Sequence, residues 1–147
     1  VVGKQLLNRF PDIIIIMTGS PAEKEYVQAV TDMIGDPRCI NSSGFFSFDE
    51  LVPLYDLSTC MLTNDSGPAH FAAVTNLKVF VLFGPETPHL YLPLGGNAEP
   101  FYLGLPCSPC VSAANHRKTS CTERPCITGI HPALVLNRLN IYLSERK

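Results

Sequence analysis

The sequence lacks the features that mark three large classes of protein. Its net charge at pH 7 is −2, so there is no broad basic surface that would bind nucleic acid. No apolar run is longer than Ile13 to Met17, which is far short of the roughly 20 residues that cross a bilayer. No N-terminal targeting signal is visible, but the first residue is Val1, so the start of the protein is expected elsewhere.

Two phosphate-binding signatures are also missing. There is no Gly-x-Gly-x-x-Gly, which argues against a dinucleotide-dependent dehydrogenase, and no Gly-Lys-Ser/Thr loop, which argues against an NTPase. No base is placed near any cysteine, so nothing indicates a cysteine nucleophile.

What is present is typical of one globular domain covering residues 1–147. Apolar residues make up 46% and charged residues 16% of the chain. Apolar runs typical of strands alternate with segments of helical periodicity, which predicts an α/β fold with a parallel sheet covered on both faces. The run Ile13 to Met17 is interpreted as a strand buried on both faces. The predicted strands are 13–17, 38–41, 59–63, 78–83 and 98–103, and the predicted helices are 1–10, 21–34, 47–57, 68–76 and 132–143.

The stretch Asn64–His70 is the strongest candidate site. It joins a predicted strand to a predicted helix, whose first amides have no internal partner and whose dipole is positive at that end. Gly67 lets the backbone approach a ligand, Pro68 suits the first turn, and Ser66 can donate its hydroxyl. The pattern predicts an anion site that holds the diphosphate of a nucleotide-activated sugar.

Three polar residues near strand ends each have two interpretations. Asp65 either caps the helix or points past the phosphates to accept hydrogen bonds from sugar hydroxyls. His70 is either structural or a donor to phosphate. Glu23 either completes a capping box with Ser20 or binds a pair of ribose hydroxyls. The turn at Gly19 and Ser20 follows a strand, as does the turn at 84–88, so their side chains are expected along one sheet edge.

The six cysteines fall into two groups. Cys39 and Cys60 lie in apolar runs and are predicted to be buried core residues. The other four form a Cys-rich loop, predicted at 106–128, and they are compatible with a structural zinc site, with two disulfides or with free thiols. His116 is a substitute ligand under the zinc interpretation, and the role is structural under all three. These four residues are Cys107, Cys110, Cys121 and Cys126.

Taken together, the motifs resemble the C-terminal half of glycosyltransferase family 9, the ADP-heptose:lipopolysaccharide heptosyltransferases. The resemblance covers nearly the whole chain, and it is most specific at the stretch 64–73 followed by 81–88. The turn 19–23, the helix start 47–51 and the Cys-Ser-Pro-Cys stretch at 107–110 are also similar to the family.

The resemblance implies a GT-B fold, in which two Rossmann-like domains face each other and this chain is the donor-binding one, with a three-layer parallel sheet. The implied activity is inverting transfer of a sugar, heptose above all, from a nucleoside diphosphate to a lipid-linked acceptor at the cytoplasmic membrane face, with peripheral membrane association and no metal ion in catalysis. A non-catalytic nucleotide-binding or zinc-stabilised module with the same fold is the alternative.

The resemblance also assigns roles to the candidate residues. Asp65 is expected to contact the heptose, while the following amides and His70 contact the diphosphate. Glu23 is expected at the ribose and Phe46 near the base. The complete expected donor-binding set is Gly19, Ser20, Glu23, Phe46, Asp65, Ser66, Gly67, Pro68 and His70.

The chain departs from the family pattern in two ways. An acceptor domain, the carboxylate that serves as general base and the first strand of the donor domain are all expected before Val1. No catalytic residue is therefore expected in this chain, which by itself should bind a donor weakly and not turn over. Glu86 stands where a threonine is common, which weakens the assignment of that turn.

Overall fold

A computed structural model describes residues 1–146. Helices and strands alternate along the chain, which confirms the predicted α/β class. The helices are Val2–Arg9 (α1), Lys24–Ile34 (α2), Phe48–Leu57 (α3), Gly67–Phe71 (α4), Pro88–Tyr91 (α5), Pro125–Thr128 (α6) and Pro132–Ser144 (α7). The strands are Ile15–Met17 (β1), Cys39–Asn41 (β2), Cys60–Asn64 (β3), Lys78–Leu82 (β4) and Ala98–Phe101 (β5).

All strand pairs are parallel, but their hydrogen bonds form two sheets. One sheet pairs β1 with β2, and the other has the order β3-β4-β5. Each sheet belongs to its own compact unit. The first unit combines residues 1–51 with the segment from Pro132 onward, and the second covers 52–131. The assignment of the whole chain to one domain stays a prediction.

The first unit has a small apolar core between helices and the two-stranded sheet. Leu7, Ile34 and Cys39 are buried there, and partly buried residues of β1 and α2 pack against them. Gly35 ends α2 with φ 67°, a left-handed conformation that glycine adopts without a steric penalty. Because Cys39 is buried in this apolar core, it is a core residue as predicted.

Arg38 ties the end of α1 to the start of β2. Its guanidinium donates hydrogen bonds to the carbonyl oxygens of Leu7, Phe10 and Pro11 at 2.9, 3.1 and 2.8 Å. It also pairs with the Asp36 carboxylate at 2.7 Å. These hydrogen bonds from Arg38 lower the pKa of Asp36 below its ordinary value.

The ion pair between Arg38 and Asp36 predicts that the free energy of unfolding falls as the pH is lowered. Arg38→Met should make this fall smaller. Because the pKa of Asp36 is lower in the folded state, the pair stabilises the fold above the ordinary pKa of 3.8, and this contribution is lost as the pH falls through the folded value. Urea midpoints of the parent and the variant, measured from pH 6 downward, should differ most at pH 6 and less in acid, where the remaining difference comes from the hydrogen bonds of Arg38 to the three carbonyl groups. Lys4→Met, at an exposed position of α1, is the control. A gap between parent and Arg38→Met that stays constant across the pH range would contradict this assignment.

The second unit is organised around β4, the central strand of its sheet. Val79, Phe80 and Val81 are 2%, 1% and 0% exposed, so both faces of this strand are covered. The strand Ile13–Met17 was the one predicted to be buried on both faces, and that prediction is wrong. Ile14 is 60% and Ile16 36% exposed, and within the described residues β1 is paired along one edge only. The β-branched run there reflects strand propensity and not two-sided burial.

Candidate functional site

The Asp65 turn lies at the edge where two parallel strands end together. Asn64 of β3 is in register with Leu82 of β4. The Asp65 N–H donates to the Leu82 carbonyl at 3.2 Å, so the pairing continues one residue beyond the strand. Asp65 is thereby placed beside the end of β4, as expected for a ligand site in a parallel sheet.

The helix after this turn is shorter than predicted. Ser66 is the N-cap residue in extended conformation, with φ −158°, and α4 covers five residues before a 3-10 turn at Ala72–Val74. The Ala69 N–H already donates to the Ser66 carbonyl at 3.1 Å, and Pro68 has no N–H. The predicted anion site therefore has the amides of Ser66 and Gly67 as its backbone donors, without the dipole of a long helix.

The structure excludes the interpretation of Asp65 as the residue that caps the helix. The N-cap position belongs to Ser66, and no side-chain cap hydrogen bond is formed there. The Asp65 carboxylate instead lies 4.0 Å from His70 Nε2, with 20% of the Asp65 side chain and 47% of the His70 side chain exposed. Burial raises the pKa of Asp65, while the charges of His70 and Arg117 oppose that rise. Its contact with a sugar stays a prediction.

Ser20 and Glu23, two candidate residues of the first unit, lie in the turn that follows β1. The Glu23 carboxylate accepts hydrogen bonds from the Ser20 N–H at 2.8 Å and the Ser20 hydroxyl at 2.6 Å, which confirms the capping box. Both hydrogen bonds lower the pKa of Glu23, and the one from the Ser20 hydroxyl has the larger effect. One carboxylate oxygen of Glu23 makes both contacts, so the capping role leaves the other oxygen for a ligand. The ribose contact stays a prediction.

Two further features of this unit involve residues that follow β1 and β2. A Cβ added at Gly19 would lie 3.1 Å from the hydroxyl oxygen of Ser43, so glycine allows a close approach there. Ser43 is 7% exposed, and its hydroxyl has no hydrogen-bond partner within residues 1–146. Sequence reasoning missed Ser43. Phe46 is half-buried and packs edge-on against Phe45, with ring centroids 5.3 Å apart.

The Cys-rich loop is fastened to the turn that follows β4. The N–H groups of Cys110 and Val111 donate to the Pro85 carbonyl at 2.9 and 3.3 Å. The Ser108 hydroxyl donates to the Gly84 carbonyl at 2.6 Å. A Cβ at Gly84 would collide with the Ile127 side chain, so glycine is needed for the loop to lie this close. The loop therefore lies over the same sheet edge as Asp65.

Arg117 extends from this loop toward the turn. Its Nε lies 3.7 Å from Glu86 Oε1, and its guanidinium carbon lies 5.4 Å from the centre of the Tyr91 ring. Arg117 is also close enough to Asp65 to act on the pKa of that carboxyl group. The sequence analysis noted Glu86 only as a departure from the family pattern, and it did not single out Arg117. A buried carboxylate such as that of Glu86 needs a cationic partner, and Arg117 is that partner.

None of the six cysteines, all of which lie within residues 1–146, forms a disulfide in the structure. Cys126 is buried, Cys107 and Cys121 are exposed, and Cys110 is partly buried, as is Cys60, which was predicted to be buried. The Cys110 thiol contacts the Thr119 hydroxyl at 3.6 Å, and the Cys121 sulfur accepts the Arg124 N–H at 3.3 Å. Among residues 1–146, no three His, Cys, Asp or Glu side chains gather as a metal site would require. The structural zinc ion stays a prediction.

The helices of residues 1–146 are all too short or too polar to traverse a bilayer.

Comparison with known proteins identifies relatives of this chain. The family model for glycosyltransferase family 9 (heptosyltransferase) matches residues 4–120. Lipooligosaccharide heptosyltransferase 2 of Haemophilus influenzae is 35% identical over 78 residues, which cover 53% of this chain. Lipopolysaccharide heptosyltransferase 2 of Escherichia coli is 28% identical over 101 residues, or 67% of this chain.

Solved structures agree on the fold. The structure of E. coli ADP-heptose lps heptosyltransferase II superposes with a TM-score of 0.75 at 23% identity, covering 99% of this chain and 41% of the other. A glycosyltransferase family 9 protein from Veillonella parvula gives a TM-score of 0.73 at 21% identity, covering 90% and 37%. These matches confirm the predicted GT-B type of α/β fold. The matched segments amount to only 22% and 28% of the two heptosyltransferases compared by sequence.

Proposed function

The chain belongs to glycosyltransferase family 9, and from this premise we propose that it forms the donor-binding part of an enzyme that transfers heptose from ADP-heptose to a lipopolysaccharide-type acceptor. The observation that carries the proposal is the Asp65–His70 turn. It lies inside the matched residues 4–120, at the edge where β3 and β4 end, and it combines the Ser66 and Gly67 amides with a carboxylate and an imidazole. That combination suits a ligand with both a diphosphate and sugar hydroxyls.

The two parts of the donor have separate partners in this proposal. The amides of Ser66 and Gly67 and the His70 side chain bind the diphosphate, since these groups of the turn can donate hydrogen bonds. The Asp65 carboxylate accepts hydrogen bonds from the sugar, because a carboxylate repels phosphate but suits hydroxyl groups. For Gly19, Ser20, Glu23 and Phe46 of the first unit, contact with the nucleoside stays a prediction.

The reaction places a clear demand on these residues. An acceptor hydroxyl attacks the anomeric carbon of the heptose, the bond from that carbon to the β-phosphate oxygen breaks, and ADP leaves with one more negative charge. The hydroxyl proton passes to a general base, which we place in the remainder of the protein. Donors that already point at the diphosphate stabilise the charge as it develops, so this turn contributes electrostatically to the transition state.

Ligand-dependent thermal stability of the full-length protein tests this proposal. ADP and ADP-heptose should raise the Tm, because a ligand that binds only the folded state at about 100 times its Kd adds about 2.7 kcal/mol. His70→Ala should reduce this stabilisation, since it removes a donor to the diphosphate. His131→Ala, at another exposed histidine of the chain, is the matched control. GDP and UDP serve as nucleotide controls.

Two results would count against the proposal. No stabilisation by either adenine nucleotide would remove the assignment of the donor. An equal response in His70→Ala and the parent would remove His70 from the site.

A further inference from the structure

We propose that Arg117 is a further donor-binding residue, which the Cys-rich loop presents to the diphosphate of the nucleotide sugar and which Glu86 and Tyr91 hold in place. The inference rests on the proposed function and adds a residue from outside the Asp65 turn. It assigns Glu86, which departs from the family pattern, the role of positioning that arginine.

The loop segment that leads to Arg117 is held by hydrogen bonds at several points. Its N-terminal part is bound to the Pro85 carbonyl through the Cys110 and Val111 amides. The Arg117 N–H donates to the Ser112 carbonyl at 2.9 Å, and Asn115 bridges the Ser112 N–H at 2.8 Å and the Cys110 carbonyl at 2.9 Å. The backbone that delivers the guanidinium is therefore defined by hydrogen bonds, and its position is not left to a long flexible side chain alone.

The backbone at this point adopts a costly conformation. His116 and Arg117 have φ of 54° and 56°, two successive residues other than glycine in the left-handed region. Each such residue costs on the order of a kcal/mol and persists where the surroundings fix it, often at binding sites. The conformation directs Arg117 toward Glu86 and Tyr91, where the ring supports the cation from one side.

The charges at this edge favour an anionic ligand. Glu86 is 8% exposed and the Arg117 side chain is 64% exposed, so the acid lies inside and the guanidinium faces outward. The contact with Glu86 involves Nε, which leaves the two terminal nitrogens outside that contact, and these form the fork that binds phosphate. An ion pair this exposed contributes little to folding. Arg117 also lies near the Asp65 carboxylate, whose charge would otherwise oppose a diphosphate.

Calorimetric titration of the full-length protein with ADP and with adenosine tests the inference. Arg117→Gln should weaken ADP binding about 10- to 100-fold, the usual effect of losing hydrogen bonds between charged groups, and leave adenosine binding unchanged. Arg117→Lys should recover part of the loss, because it restores the charge but not the fork. Arg124→Gln is the matched control, since Arg124 is an exposed arginine of the same loop with φ 50°.

The possible outcomes separate this inference from the function on which it rests. If the parent binds neither ADP nor ADP-heptose, the proposed function fails. If the parent binds ADP and Arg117→Gln binds it equally well, the function stands and the role of Arg117 is overturned. If Arg117→Gln weakens adenosine as much as ADP, Arg117 has a structural role and the inference is again overturned. A larger loss for ADP than for adenosine, with Arg124→Gln behaving as the parent, supports it.

Discussion

Asp65→Ala is expected to lower kcat/KM for heptose transfer about 10- to 150-fold in the full-length protein. The estimate corresponds to the 1.5–3 kcal/mol typical of hydrogen bonds to a charged group. The carboxylate lies at the joint edge of β3 and β4 and is only partly exposed. A hydroxyl bound there meets a site from which much of the water is excluded, so the interaction is stronger than at an open surface.

Two further variants are compared with Asp65→Ala in this experiment. Asp65→Asn keeps one acceptor oxygen without the charge, so it should lose less activity than Asp65→Ala. Asp56→Ala removes an exposed carboxylate from α3 and should behave as the parent. Because the contact is with the sugar, ADP binding should survive in Asp65→Ala while transfer falls. Unchanged transfer in Asp65→Ala would exclude the carboxylate from the sugar site.

The local features of the fold could be predicted because their causes lie within a few residues. The Ser20–Glu23 capping box depends on contacts over three positions, and so does the Ser47–Glu50 box, in which the Glu50 carboxylate accepts from the Ser47 N–H at 2.8 Å. The Asp65 turn was found in the same way, since Ser, Gly and Pro follow a strand in an order that suits a short helix start. Such patterns carry their own physical explanation in the sequence.

The length of α4 was not predicted, although its cause is also local. The periodicity of residues 68–76 indicated a helix, but the structure turns to 3-10 geometry at Ala72. The Thr75 hydroxyl donates to the Ala72 carbonyl at 2.7 Å and accepts the Leu77 N–H at 3.2 Å. A threonine side chain thus replaces the backbone partners that would have continued the helix.

Long-range relations were the least predictable part. Arg117 reaches Glu86 from a loop of no regular period, and neither residue signals the other in the sequence. The same limit explains the error at Ile13–Met17. An apolar run reports that a segment favours a strand, whereas burial of both faces depends on neighbours from distant parts of the chain. The run at 79–83 looks similar, but there Val79, Phe80, Val81 and Phe83 are buried, and β4 is the central strand of its sheet.

Phe80→Ala is expected to cost about 3–5 kcal/mol of unfolding free energy, the usual range for removing a buried aromatic ring. Phe80 is 1% exposed, stacks on Phe101 with centroids 6.1 Å apart, and has the Lys78 ammonium 5.3 Å from its ring centre. Its removal leaves a cavity beside the central strand of the second unit. Since a domain of this size has only about 5–15 kcal/mol of stability, the loss is a large share of the total.

The same substitution should weaken the site, because β4 connects its parts. The Leu82 carbonyl holds the Asp65 amide, and the carbonyl groups of Gly84 and Pro85 hold the Cys-rich loop. Urea unfolding followed by circular dichroism gives the loss of stability, and ADP titration below the transition gives the effect on binding. Val74→Ala, at a side chain that is 75% exposed, should change stability by no more than about 0.5 kcal/mol. If Phe80→Ala unfolds at the same urea concentration as Val74→Ala, β4 does not have the central packing role assigned to it, and the position of Asp65 must be fixed by other contacts.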